Sequence, residues 1–229
     1  GDHVVLDGLS AAPLAATPDL YEPLSDTPPT YMQVARRENE NGVRAVATPG
    51  ALRGWCDALQ RYGTLPLAHV MAPAIRHAEQ GFVVTPYLAN CIAEAAEDLA
   101  RDPEIARHLL PGGQPLKAGA RLVMSDYART LTTIATEGPE AFYEGALAGI
   151  IADHMARAGG IITRDDLAAV ETVTRKPVEG QYRGHSIFGP PPPSAGGVHV
   201  IQMLNILERF DIAGMGFGSP DASHLLGEV

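Results

Sequence analysis

A run of four prolines that leads into an apolar helical pattern is the feature that most constrains this chain. The prolines occupy positions 190–193 and are followed closely by Ser194, Gly196 and Gly197. Proline fixes its own φ and favours extended backbone in the residue before it, whereas glycine permits tight turns and close backbone contacts. Apolar residues then recur at helical spacing over 200–210. The pattern predicts an extended rod, a compact corner in which Ser194 caps a helix, and a buried helix.

Linkers and ligands of proline-recognising domains also contain proline runs. Because linkers rarely lead directly into an amphipathic helix, the pattern favours the packed corner. The alternative of another class is a non-enzymatic helical binding module that presents residues 190–193 as its ligand segment. Protease accessibility distinguishes the two hypotheses, since an exposed ligand segment is cut readily and a packed corner is not.

The bulk composition is that of a globular protein and argues against some classes of partner. The chain has 229 residues, of which 45% are apolar and 19% charged, and a formal net charge of −10. Nucleic-acid binders usually have a basic face, so the negative charge argues against that function. No run of about 18 apolar residues occurs, which predicts no transmembrane helix. The first residues have neither signal-peptide features nor an initiator Met, so we expect a piece of a longer product.

Glycine, proline and capping residues divide the chain into helical segments and a few strands. Helices are predicted, in chain order, over 51–62, 67–80, 85–99, 125–137, 139–143, 146–158, 200–210 and from 217 onward, with Thr163 and Asp166 as a capping-box-like start of another. Pro73 is expected to kink its helix or to mark a restart. Strands are predicted over 3–6, 43–46, 178–182 and 185–188, and loops over 11–24, 27–30 and 109–119.

The side chains offer no metal site or cofactor motif. His69 and His77 lie eight positions apart, and no His-x-x-x-His pattern occurs. No Gly-x-Ser-x-Gly motif or phosphate-binding P-loop is present either. Cys56 and Cys91 fall in separate predicted helices, which favours free, buried thiols over a disulfide. We therefore expect neither a metal nor a cofactor.

Several motifs, taken in chain order, resemble those of one family. They are Thr-Pro-Gly at 48–50, Arg-Tyr-Gly-Thr-Leu-Pro at 61–66, Gly-Gly-Ile-Ile-Thr-x-x-Asp-Leu at 159–167, and Pro-Pro-Pro-Ser-x-Gly-Gly-x-His at 191–199. Together with a region similar to the family's Asp-x-Arg-Glu-x-Ala-Pro near the start, they cover nearly the whole chain. The sequence resembles the large subunit of γ-glutamyltranspeptidases, which are N-terminal-nucleophile (Ntn) hydrolases.

The resemblance implies an α/β fold, the four-layer αββα Ntn-hydrolase sandwich when complete. Residues 1–229 would be the helix-rich large-subunit portion of a single domain, without the family's N-terminal segment and without the small subunit. Such a protein is a zymogen that processes itself into a heterodimer. The nucleophile is then the N-terminal threonine of the small subunit, whose own amine serves as base. We expect no catalytic residue in this chain, and no activity from this chain alone.

The implied reaction is γ-glutamyl transfer or hydrolysis on glutathione-like amides, as in glutathione metabolism. In the family an arginine–glutamate pair lies at the substrate, and the matching positions here are Leu9 and Ser10. Leucine offers no guanidinium fork to a substrate carboxylate. Either Arg36, Arg37 or Arg44 supplies the charge, or the substrate has no carboxylate there. The second option predicts an acylase or amidohydrolase resembling cephalosporin acylases or oxamate amidohydrolases.

The resemblance also implies where the remaining features lie. The corner formed by Ser194, Gly196 and Gly197 is expected near the active site. The expected partners are the small subunit from the same precursor and a small amide substrate, without nucleic acid or a membrane span. The family's usual location implies a periplasmic or secreted protein, with the cytoplasm as the alternative.

Overall fold

The computed structural model describes residues 2–28 and 32–229, so the predicted loop at 27–30 lies partly outside the described residues. Helices account for most of the regular structure. In chain order they are α1 (Ala51–Tyr62), α2 (Leu67–Gln80), α3 (Pro86–Glu94), α4 (Ala96–Leu99), α5 (Pro103–Leu109), α6 (Ser125–Glu137), α7 (Glu140–Tyr143), α8 (Ala146–Ala158), α9 (Arg164–Ala168), α10 (Gly196–Leu207), α11 (Ile212–Met215) and α12 (Pro220–Glu228).

The strands are short and pair antiparallel in twos. They are β1 (Val5–Asp7), β2 (Phe82–Val83), β3 (Arg121–Leu122), β4 (Val173–Arg175), β5 (Val178–Tyr182) and β6 (His185–Gly189). β1 pairs with β4, β2 with β3, and β5 with β6. The β5–β6 hairpin confirms the two strands predicted around residues 183–184, whereas β2, β3 and β4 were not predicted from the sequence.

The chain forms two compact units, and residues 8–171 make up the larger one. Its main core contains Tyr143, Ala148, Met155, Ile162 and Leu167, contributed by α7, α8, α9 and the segment before α9. A second cluster joins α2 to α6 through Ala78, Ala128 and Leu131. These apolar side chains recur at helical spacing, so burying one face of each helix supplies the driving force for their packing.

Several predicted helices are confirmed closely, and others need correction. α1 and α8 occupy the predicted residues, and α8 ends at Gly159 in the left-handed conformation with φ 81°. α2 runs through Pro73 as one helix, so the restart, one of the two alternatives for Pro73, is wrong; its apolar face packs on α6. The helix predicted over 85–99 is divided at Ala95. The short helix α5 was not predicted. Asp102 caps its start, and it ends at Leu109, the first residue of the loop predicted over 109–119.

The strand predicted over 43–46 is wrong. Val43–Ala45 forms a single 3-10 turn after Gly42, which has φ 84°. The alternating apolar pattern there is short, and Val43 packs instead against the main core of the larger unit. A strand needs a partner edge, and the local pattern carries no information about whether one is present.

The smaller unit consists of the residues up to Asp7 together with Thr172–Val229. Arg175 on β4 donates from Nε to the Asp7 carboxylate on β1 at 2.6 Å, which ties the two paired strands together. His3 stacks on Phe188 of β6, with ring centroids 3.8 Å apart. α10 packs against β5 and β6. Gly180 makes this packing close, because a Cβ there would collide with the side chain of Ile201.

The proline segment before α10 is a turn and not the predicted rod. The Ser194 N–H donates to the Pro191 carbonyl at 3.2 Å, which closes a turn over 191–194. Ser194 was also expected to cap α10, but the N-cap is Ala195 and no side chain bonds to the first turn. The close approach predicted for the glycines occurs at Gly197, which is buried and contacts the backbone of Gly189.

Two glycines in the first turn of α10 allow a matched test of this packing. A Cβ at Gly197 would lie 2.7 Å from Val178 Cγ2 and would also meet the Pro190 carbonyl oxygen, whereas a Cβ at Gly196 meets only Ser194 Oγ at 3.6 Å. We predict that Gly197→Ala lowers the free energy of unfolding by about 1–3 kcal/mol through overpacking. Gly196→Ala should raise that free energy by about 0.5–1 kcal/mol, as alanine does in helices. Urea unfolding midpoints of the two variants measure this, and equal midpoints would contradict the tight corner.

Candidate functional site

Leu9 and Ser10, the two positions that the sequence predicts to match the family's substrate-binding pair, lie on one loop of the larger unit, residues 8–14, here called the Leu9 loop. Leu9 is 60% exposed and Ser10 is exposed as well. The loop therefore presents both side chains to solvent, while its backbone is held from three directions.

The first support is the start of α1. A Cβ at Gly8 would lie 3.0 Å from the Cα of Gly54, and a Cβ at Gly50 would meet the carbonyl oxygens of Gly8 and Leu9. Only glycine permits two backbones to approach so closely. The Thr-Pro-Gly motif at 48–50 thus places the loop directly against the first turn of α1.

The second support is a short antiparallel bridge between Ala11 and Thr48. Ala11 donates its N–H to the Thr48 carbonyl at 3.1 Å, and Thr48 donates its N–H to the Ala11 carbonyl at 2.8 Å. Thr48 is 2% exposed. The bridge fixes the register of the Leu9 loop against the segment that leads into α1.

The third support is a buried carboxylate. Asp166 Oδ1 accepts the Leu14 N–H at 2.5 Å, and Oδ2 accepts the Thr163 N–H at 2.7 Å and its hydroxyl at 2.6 Å. Thr163 Oγ1 in turn accepts the Asp166 N–H, which confirms the predicted capping box. Burial acts to raise the pKa of Asp166, but the bonds from Leu14 and Thr163 outweigh it and hold that pKa below its ordinary value.

Tyr143 supports the same region from α7. Its hydroxyl donates to the Pro49 carbonyl at 2.9 Å and accepts the Arg53 N–H at 3.0 Å, so it caps the first turn of α1. The Arg53 guanidinium lies 4.5 Å from the Tyr143 ring centroid and pairs with Glu140 at 3.0 Å. Burial raises the pKa of the Tyr143 hydroxyl, which keeps it protonated as the donor to Pro49.

The three arginines considered as substitutes for the family's arginine are already paired with acidic groups of this chain. Arg36 contacts Glu38 at 2.7 Å. Arg37 donates from both terminal nitrogens to the Asp98 carboxylate, each at 3.0 Å, and from Nε to Glu40 at 2.8 Å. Arg44 lies 3.3 Å from Glu38 and donates to the Leu20 carbonyl at 2.7 Å.

Ser194, Gly196 and Gly197 belong to the smaller unit, where Ser194 is half-buried and Gly197 is buried. Across residues 2–28 and 32–229, no group of three or more His, Cys, Asp or Glu side chains could hold a metal ion. Cys56 and Cys91 are free thiols. Cys56 is buried as expected, whereas Cys91 is only partly buried. The same described residues contain no helix with the length and apolar character that crossing a membrane requires.

Sequence reasoning missed the roles of Asp166 and Tyr143 at the Leu9 loop. It identified Asp166 as a helix-start residue, and that description is confirmed. The contact from Asp166 to Leu14 spans 152 positions. The sequence offered one signal for this contact: a capping box uses a single oxygen of the Asp166 carboxylate, which leaves the other oxygen able to accept a distant donor.

Comparisons with known proteins identify the family to which this chain belongs. The family model described as gamma-glutamyltranspeptidase matches residues 1–229. An Acylase ACY 1 proenzyme from Pseudomonas sp. (strain V22) is 59% identical over 229 residues, which is 100% of this chain and 41% of that protein. The glutathione hydrolase proenzyme of Escherichia coli (strain K12) is 38% identical over 230 residues, which is 100% of this chain and 39% of that protein.

The fold comparison gives the same result. The crystal structure of Helicobacter pylori gamma-glutamyltranspeptidase superposes with a TM-score of 0.87 at 32% identity and covers 100% of this chain and 67% of that one. The chain is thus a helix-rich part of an α/β Ntn-hydrolase fold, as predicted. It belongs to the γ-glutamyltranspeptidase family. It spans about two-fifths of the length of the curated relatives it matches.

The depressed pKa of Asp166 leads to a prediction about stability and pH. The charged carboxylate stabilises the fold above its ordinary pKa of 3.8, and this contribution is lost as pH falls through the lower pKa of the folded state. Asp166→Asn should lower the free energy of unfolding by about 1–3 kcal/mol at neutral pH. Both oxygens of the carboxylate accept hydrogen bonds, and the substitution replaces one of them with an NH2 group that would face an N–H donor.

Urea unfolding of wild type and Asp166→Asn across about pH 7 to pH 3 tests this. The difference between the two proteins should be largest near neutrality and shrink below pH 3.8. A difference that stays constant down to the lowest pH would show that the charge of Asp166 does not stabilise the fold.

Proposed function

We propose that this chain is the large-subunit portion of an Ntn amide hydrolase whose acyl group is not γ-glutamyl. The nucleophile is an N-terminal threonine on a small subunit cut from the same precursor. Its hydroxyl attacks the amide carbonyl and releases the amine, and water then resolves the acyl-enzyme. The leading expectation from the sequence, γ-glutamyl transfer or hydrolysis, is the second candidate, because glutathione hydrolase relatives match the whole chain.

The observation that carries the proposal is the arrangement around Leu9. A γ-glutamyl group brings a carboxylate to the position that an arginine contacts in the family, and this chain offers leucine there. Arg36, Arg37 and Arg44 are each paired with carboxylates. Leucine offers a carboxylate none of the charge-assisted hydrogen bonds of a guanidinium, so an acyl group that needs no arginine at Leu9 fits better. The 59% identity to a protein named as an acylase supports the same choice.

The outer face of α10 supports the presence of a companion polypeptide. Val198, Val200, Met203 and Ile206 on this helix are each 38–48% exposed, although α10 also packs against β5 and β6. A helix with apolar residues on every side is typical of a buried position. The relatives are proenzymes that extend well beyond the matched part, so the rest of the precursor is the proposed cover.

An intact-mass spectrum of the complete precursor product under denaturing conditions tests the two-subunit arrangement. We expect two polypeptides, the smaller of which begins with threonine. A single unprocessed species would contradict the Ntn mechanism.

We also propose, from the family's usual location, that the protein is periplasmic or secreted; fractionation of the producing cells tests this separately.

The acyl group is tested by substituting Leu9 in the complete precursor. We predict that wild type hydrolyses pentanoyl anilide, whose acyl chain has no carboxylate, with higher kcat/KM than γ-glutamyl anilide. Leu9→Arg should raise kcat/KM for γ-glutamyl anilide relative to pentanoyl anilide by about 10- to 100-fold, which corresponds to one charged hydrogen bond of about 1.5–3 kcal/mol.

Leu24→Arg is the matched control, because Leu24 is 61% exposed and Leu9 is 60% exposed. It adds the same charge outside the Leu9 loop and should leave the ratio unchanged. A wild-type preference for the γ-glutamyl anilide of tenfold or more would reject the acylase proposal in favour of the second candidate.

A further inference from the structure

The buried polar and charged residues of the larger unit lie beside one loop. In the described part of the chain, these residues are Thr48 and Asp166, and Tyr143 is a further fully buried side chain with a polar group. Thr48 pairs with Ala11 through backbone hydrogen bonds, while its own buried hydroxyl has no hydrogen-bond partner among the described residues; Asp166 accepts the N–H of Leu14 with its side chain. Tyr143 bonds the Pro49 carbonyl, next to the glycine against which the Leu9 loop packs.

Such groups are costly to bury and need a structural reason. A carboxylate that is 4% exposed requires several donors, and Asp166 obtains them from Thr163 and Leu14. A capping box alone needs only the oxygen that faces Thr163. The other oxygen, Oδ1, contacts only the Leu9 loop among the hydrogen bonds observed for this side chain, so capping does not account for it.

Most of the loop's side chains are not buried. Leu9, Ser10, Ala11 and Ala12 are exposed, and Leu14 exposes 75% of its surface, whereas Pro13 is buried. Besides the burial of Pro13 and the packing of Gly8, the backbone bonds at Ala11 and Leu14 hold the loop. The bonds at Ala11 join backbone to backbone, whereas the bond to Leu14 has a side chain, Asp166, as its acceptor and can be removed by one substitution.

We propose that Asp166 is a positioning residue for the acyl subsite, which acts through the Leu14 N–H to hold the loop that carries Leu9 and Ser10. The inference rests on the proposed function, because it assigns Leu9 and Ser10 to the acyl group. Displacement of a substrate-contacting group by about 1 Å can reduce the rate about 100-fold. Loss of the bond from Asp166 to Leu14 should therefore change which acyl groups are accepted.

A purely structural role makes a different prediction. If Asp166 only stabilises the start of α9, its removal lowers the amount of folded enzyme and leaves the preference among substrates unchanged. The ratio of kcat/KM for two acyl anilides separates these cases, because the concentration of active enzyme cancels in the ratio.

The bond can be removed from either end. Asp166→Ala removes the acceptor together with the capping interactions. Leu14→Pro removes only the donor, because Leu14 follows Pro13 in a turn closed by the Ala16 N–H on the Pro13 carbonyl at 2.9 Å, and proline suits the second position of such turns. Leu14→Pro leaves Asp166 and Thr163 in place, so the test survives if Asp166→Ala fails to fold.

Asp102→Ala is the matched control. Asp102 caps α5 by accepting the N–H groups of Glu104 and Ile105, so the substitution removes an aspartate from another helix start without affecting the Leu9 loop. Each variant is made in the complete precursor and assayed with glutaryl and pentanoyl anilides. Amide hydrogen exchange of residues 8–14 reports the loop directly and does not depend on activity.

We expect Asp166→Ala and Leu14→Pro to change the kcat/KM ratio in the same direction by about 10- to 100-fold and to accelerate exchange over 9–12. Asp102→Ala should leave both unchanged. An unchanged ratio in Leu14→Pro, with exchange like that of wild type, would overturn the positioning role. Wild type that hydrolyses no acyl anilide would instead reject the proposed function. Exchange over 9–12 that accelerates in both variants would still support the part of the inference that concerns the loop.

Discussion

One buried carboxylate, that of Asp166, joins the last helix of the larger unit to the loop near the start of that unit. Asp166 is 4% exposed and accepts hydrogen bonds from Thr163 and Leu14. It therefore fixes the start of α9, whose Leu167 is a fully buried member of the main core, and the Leu9 loop at the same time. Because a buried charge that loses its donors is strongly destabilising, the two features are coupled.

Tyr143 provides a second connection of the same kind. Its ring belongs to the main core, and its hydroxyl bonds the Pro49 carbonyl and the Arg53 N–H at the start of α1. The core, the start of α1 and the Leu9 loop thus share polar groups in a small region. Rigid support beneath exposed side chains is what a specificity-determining loop requires.

Sequence patterns predicted the features that depend on neighbouring residues, such as helix bounds, caps and hairpins. The bounds of α1 and α8, the capping box at Thr163 and the β5–β6 hairpin all follow from periodicity, caps and turn residues. The turn at Val43–Ala45 was predicted wrongly, because its conformation depends on packing against a distant core. The Asp166–Leu14 bond spans 152 positions, and no local pattern encodes such a contact. The family resemblance predicts that Leu9 and Ser10 lie at the substrate, and only the structure shows which contacts hold their loop.

The central claim is that the Leu9 loop forms the acyl subsite of a processed Ntn amide hydrolase. The most direct test is a crystal structure of the complete, processed protein with a slowly hydrolysed pentanoyl amide bound. The account predicts that the acyl chain lies against Leu9 and Ser10, with its carbonyl carbon at the N-terminal threonine of the small subunit. An acyl chain bound away from the Leu9 loop would contradict it.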